Sequence, residues 1–112
     1  MINYHNKIFK PVQNSSNRET FPATTFHYTQ EGTMVSAAYA GEPIVKGHLL
    51  GLVDEAGGIR MHYHQINNKG MLMTGRCTST PEMLPGGKIR LHEAWRRANG
   101  DYSAGSSVLE EP

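Results

Sequence analysis

The sequence predicts an all-β fold: eight antiparallel strands in up-and-down order, the pattern of a sandwich or a barrel, with an eight-stranded barrel as the expectation and its closure left open. Three observations carry that reading. Segments in which apolar and polar residues alternate recur along the chain, and that is the period of a half-buried strand. Clusters of Gly, Asn, Asp and Pro separate them at roughly 8–12-residue spacing. The connections are mostly of hairpin length, which makes neighbours in sequence neighbours in the sheet. Composition agrees, since 12 Gly, three Phe, 38% hydrophobic and 19% charged residues suit short strands and many turns better than a helical bundle. Residues 1–112 read as a single β-barrel domain, and a chain of this size should expose about 6,100 Å² when folded. Eight strands close a barrel that is either filled by side chains or holds one small ligand.

The first strand is expected over Lys7 to Gln13, with Pro11 favouring an edge or an early break. A flexible polar loop at about residues 14–23 follows, NSSNRETFPA, which offers little to pack. Thr24 to Gln30 alternates, placing Phe26 and Tyr28 on one face and His27 and Thr29 on the other. Glu31-Gly32 reads as a tight turn into Thr33 to Ala40, where Val35, Ala37 and Tyr39 share a face. Gly41-Glu42-Pro43 breaks the pattern before Ile44 to Val53, the most apolar run. Gly47 and Gly51 share one face of it, a sign of bending or close backbone approach. Asp54 to Gly58 is a loop, and Ile59 to Ile66 then sets Ile59, Met61, Tyr63 and Gln65 against Arg60, His62 and His64.

After the turn Asn67 to Gly70 comes a hairpin whose two arms flank the Pro/Gly loop TPEMLPGG. It holds the only cysteine, Cys77, and the only tryptophan, Trp95. Its second arm is ambiguous, because Leu91, Ala94, Trp95 and Ala98 also fit i, i+3, i+4, i+7. Periodicity alone leaves both open; the strand assignment is kept because Ile89, Leu91 and Trp95 also fit period two and because of the resemblance given below. Asn99-Gly100 reads as a type I′ hairpin turn, and Ser103 to Glu110 closes the chain as a small-residue strand.

Charge excludes several function classes. Net charge is +1 and no like-charged run exceeds two residues, so neither a nucleic-acid nor a membrane-surface footprint is expected. One cysteine cannot form an intrachain disulfide, and no His/Cys pattern suggests structural zinc. The first residues lack an apolar core of the signal-peptide type and no stretch approaches membrane-spanning length. The expected setting is a reducing cytoplasm, with no cofactor and an unknown small molecule as partner. An apolar outer face would favour a homodimer.

Glu93 is the sharpest chemical signal. In the strand register it faces the core between Leu91 and Trp95, and a buried acid needs a partner or a ligand. Pairing Met73, Gly75 and Cys77 opposite Trp95, Glu93 and Leu91 sets the acid across from a glycine, which opens room for a ligand. The expected pocket is Phe26, Tyr28, Tyr39, Tyr63, Gly75, Glu93 and Trp95, with a polar or cationic group at the acid; the opposing expectation is an internal salt bridge or hydrogen bond from Glu93 to Tyr28, Tyr39 or an arginine. Cys77 reads as a small buried hydrophobe. A second reading is a cupin-like metal-dependent enzyme using His62, His64 and His92, although the Glu expected a few residues after His62-Tyr63-His64 is missing.

Several blocks together resemble a family of small, uncharacterised bacterial proteins with an avidin-like β-barrel domain. They are Phe26-His27-Tyr28, Gly51-Leu52-Val53-Asp54, Lys69-Gly70, Met73-Thr74-Gly75, Ser79-Thr80-Pro81-Glu82, Ile89-Arg90-Leu91-His92-Glu93 with Trp95, and Gly100-Asp101 through Glu110-Glu111. The resemblance spans nearly the whole chain and implies an antiparallel, avidin- or lipocalin-like (calycin-like) barrel with no established activity. Members of that family often carry the name N-acetylglutamate synthase. Acetyl transfer from acetyl-CoA usually requires a pyrophosphate cradle at a helix N-terminus. The nearest match to its Arg/Gln-x-x-Gly-x-Gly/Ala form, Arg97 to Tyr102, ends in tyrosine and falls at a turn. Avidin-type biotin pockets use several tryptophans, and this chain has one.

Overall fold

Period-two alternation sets the architecture. The computed structural model describes residues 2–14, 24–100 and 102–112, and its eight strands form a closed antiparallel barrel in the order of the sequence. They are β1 (Lys7–Asn14), β2 (Thr25–Glu31), β3 (Met34–Gly41), β4 (Ile44–Val53), β5 (Ile59–Asn67), β6 (Leu72–Met83), β7 (Ile89–Arg97) and β8 (Ala104–Glu110). The expected flexible loop falls mostly on residues 15–23, outside the described residues. No helix is present among the described residues, so none is long and apolar enough to cross a membrane.

Each strand turns one set of alternating side chains inward. Phe26 and Tyr28 from β2, Val35, Ala37 and Tyr39 from β3, and Ile89, Leu91 and Trp95 from β7 are all buried. The intervening positions, such as His27, Ala38, His48 and Arg76, are exposed. The surface left to solvent is 6290 Å², close to the scaling value of about 6,100 Å² for this mass.

The ambiguity over residues 88–98 is resolved as strand. Leu91 and Trp95 face inward and Ala94 outward, which a helix with Leu91, Ala94 and Trp95 on one face would not allow. Three local expectations change. Asn99-Gly100 does not make a two-residue hairpin turn: Arg97 N–H donates to Ser103 C=O at 2.8 Å, so the β7–β8 connection has a wider span. The loop expected over TPEMLPGG is shorter, because β6 runs on to Met83 and the turn closes with Leu84 N–H donating to Lys88 C=O at 2.8 Å. Gly86 and Gly87 take φ of 91° and 85° there, left-handed conformations open to glycine at little cost. Pro11 neither ends β1 nor marks a free edge. It pairs with Leu109 of β8, and a bulge between Pro11 and Gln13 takes up the irregularity.

The chain preceding β1 closes one end of the barrel. Tyr4 is fully buried, packs against Phe9 and Tyr28, and donates its hydroxyl hydrogen to Gly57 C=O at 2.5 Å. The opposite end carries the β3–β4, β5–β6 and β7–β8 connections.

Candidate functional site

The barrel brings all seven expected pocket residues to its inner face. Phe26, Tyr28, Tyr39, Glu93 and Trp95 are each no more than 5% exposed, Gly75 is buried, and Tyr63 is half-buried. Phe26 and Tyr39 stack with ring centroids 4.5 Å apart. Tyr39 donates its hydroxyl hydrogen to Gln65 Oε1 at 2.8 Å, which satisfies a polar tip in an apolar surrounding. The Arg97 guanidinium lies 5.5 Å from the Trp95 ring centre, within cation–π range.

The register around Glu93 differs from expectation. Gly75 pairs with Arg97, Cys77 with Trp95, and Glu93 with Ser79. The acid therefore has the correct face but lies four residues along β6 from the glycine assigned to it. On its other side Glu93 pairs with Ser107 of β8. Both serine hydroxyls donate to it, Ser79 Oγ at 2.8 Å and Ser107 Oγ at 3.2 Å. Two short donors on flanking strands hold the carboxyl group in place and offset part of its burial cost.

Gly75 opens no space for a ligand, because Tyr63 uses the room. Tyr63 pairs with Gly75 across β5 and β6, and a β-carbon added at Gly75 would lie 2.5 Å from the Tyr63 hydroxyl. Gly47 serves Tyr39 in the same way, its missing side chain making room for that ring. Both glycines are seats for aromatic rings.

Tyr28 is an exception to this satisfied interior. It is fully buried, and its hydroxyl has no hydrogen-bond partner among the described residues. Its pKa is pushed well above the ordinary tyrosine value, first by burial and then by the nearby Glu93, Cys77, Tyr4 and Tyr39. The hydroxyl thus stays neutral and keeps a hydrogen to donate in the part of the interior that holds Glu93.

The histidines do not converge. His62 and His64 point outward from β5, and His64 stacks on His48 with centroids 5.7 Å apart. His92, outward on β7, is 2.7 Å from Glu82 Oε1. That bond is the main cause holding the Glu82 carboxyl below its ordinary pKa, with Arg90 adding to it. Among the described residues no group of three or more His, Cys, Asp or Glu is arranged to hold a metal. Arg97 to Gly100 follow the end of β7, and among the described residues no helix is there to present a phosphate cradle.

Ser79, Ser107 and Gln65 are site residues that the sequence reading missed. All three sit at inward parity in their strands, and that parity was the available signal. A concavity of about 890 Å³ also lies on the outer wall across β3–β8, away from Glu93.

The family model for an avidin-like protein matches residues 2–112. No curated protein and no solved structure gives a significant match.

Proposed function

The chain belongs to the avidin-like protein family, and from that premise we propose that it binds a small molecule inside the barrel, against Tyr28 and Glu93. The observation that carries this is the Tyr28 hydroxyl, fully buried and without a partner among the described residues. A buried hydroxyl left unpaired costs about 1–3 kcal/mol. A ligand acceptor at that point recovers the bond. Glu93 adds an acidic anchor already oriented by Ser79 and Ser107. Phe26, Tyr39 and Trp95 supply flat apolar walls. The favoured ligand is compact, with an acceptor for Tyr28, a donor or cationic group for Glu93 and an apolar body. Tyr4 plugs one end, so entry is from the end on the side of Gln65 and Met73, past half-buried Tyr63.

The test is a thermal-shift screen of small polar and cationic aromatic compounds on the wild type, Tyr28→Phe and Glu93→Gln, with affinities of the hits measured by calorimetry. A genuine ligand stabilises the wild type and loses at least about tenfold in affinity in each variant, the value of one hydrogen bond of about 1.4 kcal/mol. Tyr28→Phe alone leaves the unliganded protein no less stable. Hits that bind both variants as well as the wild type would overturn the proposal.

A further inference from the structure

The outer wall carries arginines that the described residues leave unneutralised, with a histidine beside them. On neighbouring strands, His62 of β5 stands directly opposite Arg76 of β6, and Arg76 directly opposite Arg96 of β7. Arg60, two residues before His62 on the same face, extends the row into a patch. All four side chains are exposed, and none of the three arginines has an ion-pair partner among the described residues. This contrasts with Arg90 on β7, which meets Glu110 at 3.0 Å and Glu82 at 3.4 Å. Like charges directly opposite one another on a sheet destabilise it, so the row is a local cost without an internal return.

The same residues line the outer groove of about 890 Å³, a volume in the range of small-molecule sites. Its other flank is apolar. Leu50 and Leu52 of β4 and Met34 of β3 line it with 57%, 50% and 51% exposure. Leu50 stands opposite His62, and Leu52 opposite Arg60. The cationic and apolar halves therefore abut side by side.

We propose that this groove is a second binding site, distinct from the barrel interior, for a small amphiphilic oxyanion: a carboxylate or phosphate head held by Arg76 and Arg96, with an apolar body over Leu50 and Leu52. Guanidinium forks match both head groups in geometry and charge. Charge complementarity selects this occupant over a second copy of the chain. A two-fold contact through this face would bring the groove against its own copy, and no acidic side chain is among the residues that line it to answer the arginines.

Calorimetry with octyl phosphate and octanoate below their micelle concentrations tests the proposal, with inorganic phosphate and octanol as head-only and tail-only controls. At least one amphiphile binds ten or more times tighter than either control, and which one identifies the head. Arg76→Gln and Arg96→Gln each weaken it at least fivefold while raising the melting temperature of the unliganded protein, because like-charge repulsion is relieved. Leu52→Ser removes the advantage of the tail. Glu93→Gln leaves binding unchanged, so this result is independent of the interior site. Binding that ignores the arginine substitutions, that is lost in Glu93→Gln, or that is equal for amphiphile and controls overturns it. So does a dimer in light scattering that Arg76→Gln stabilises.

Discussion

Gly47 and Gly75 make the same accommodation for an aromatic ring, and they respond differently to a methyl group. The nearest atoms to a β-carbon at Gly47 all belong to the Tyr39 ring. At Gly75 the nearest is the Arg96 backbone carbonyl, with the Tyr63 hydroxyl next. Gly47→Ala and Gly75→Ala should each cost about 1–3 kcal/mol in urea unfolding. Only the first penalty is relieved by shortening its partner. A double-mutant cycle of Gly47→Ala with Tyr39→Leu should show strong favourable coupling, whereas Gly75→Ala with Tyr63→Leu should keep most of its cost. The tyrosines also set an alkaline limit. Burial first, and Asp54 second, push the Tyr4 pKa up to about 12, and Tyr28 is raised well above its ordinary value too. Unfolded tyrosines ionise near about pH 10. Above that point the unfolded chain has released protons that the folded chain retains, so stability falls as pH rises. For Tyr4 the loss accrues between about pH 10 and about pH 12. Urea midpoints should hold up to about pH 10 and then decline, and the decline should be shallower in Tyr4→Phe and Tyr28→Phe. Tyr4→Phe should also lose about 1 kcal/mol at neutral pH, because its bond to Gly57 goes, while Tyr28→Phe should not.

At the level of elements, side-chain amides and carboxylates tie the connections to the strands. Asp54 Oδ1 accepts from Ala56 and Gly58 N–H within the β4–β5 loop, and Asn67 Oδ1 accepts from Lys69 and Met71 N–H in the β5–β6 turn. Asn99 reaches further. Its Oδ1 accepts from Thr74 N–H at 2.9 Å and its Nδ2 donates to Leu72 C=O at 2.8 Å, so the β7–β8 connection is pinned to the start of β6. Asn99→Ala should cost about 1–3 kcal/mol and speed amide exchange at Thr74, where an unaltered rate would show that the clip carries no load. Asn99-Gly100 had signalled a two-residue hairpin turn, whereas the connection is wider and the Asn99 amide serves the start of β6, 25 residues back. Such long-range use has no local signature. The strands themselves were legible because alternation reports directly on burial, and β4 fell at the expected bounds. The Glu93 register was not legible, because it depends on where the β6–β7 turn is centred. Pro81 argued for a loop, yet it lies within β6 opposite Leu91. The reason is positional: the β5–β6 ladder ends at Ile59 and Ser79, so at Pro81 the strand has run past its neighbour and the missing N–H breaks no bond on that side. Pro11 is tolerated likewise, since β1 pairs with β2 only as far as Phe9 and Phe26 among the described residues. Parity alone placed on the inner face all seven residues expected to line a pocket. Their partners across the sheet required the register.

For the whole molecule, closing the barrel removes both sheet edges, and the closure is uneven. β4 and β5 pair along their full length with one irregularity near Ile44. Among the described residues β1 meets β2 over Lys7 to Phe9, and its ladder with β8 is broken by the bulge at Pro11. The seam on β1 is therefore the place where opening costs least, because local stability follows the density of ladder bonds and buried contacts. Phe9 and Tyr4 brace this seam from inside, with Phe9 packed edge-on to Tyr28 at 5.0 Å between ring centres. The buried hydroxyl proposed to meet a ligand thus sits against the least secured strand of the barrel. Native-state hydrogen exchange should find the β1 amides opening with lower free energy than those of β4 and β5, and a ligand held by Tyr28 should slow β1 more than β4. Phe9→Leu should widen the difference, because it loosens the brace without touching the ladder. Equal protection of β1 and β4 in the unliganded protein would place the weak point elsewhere and would separate ligand access from the seam.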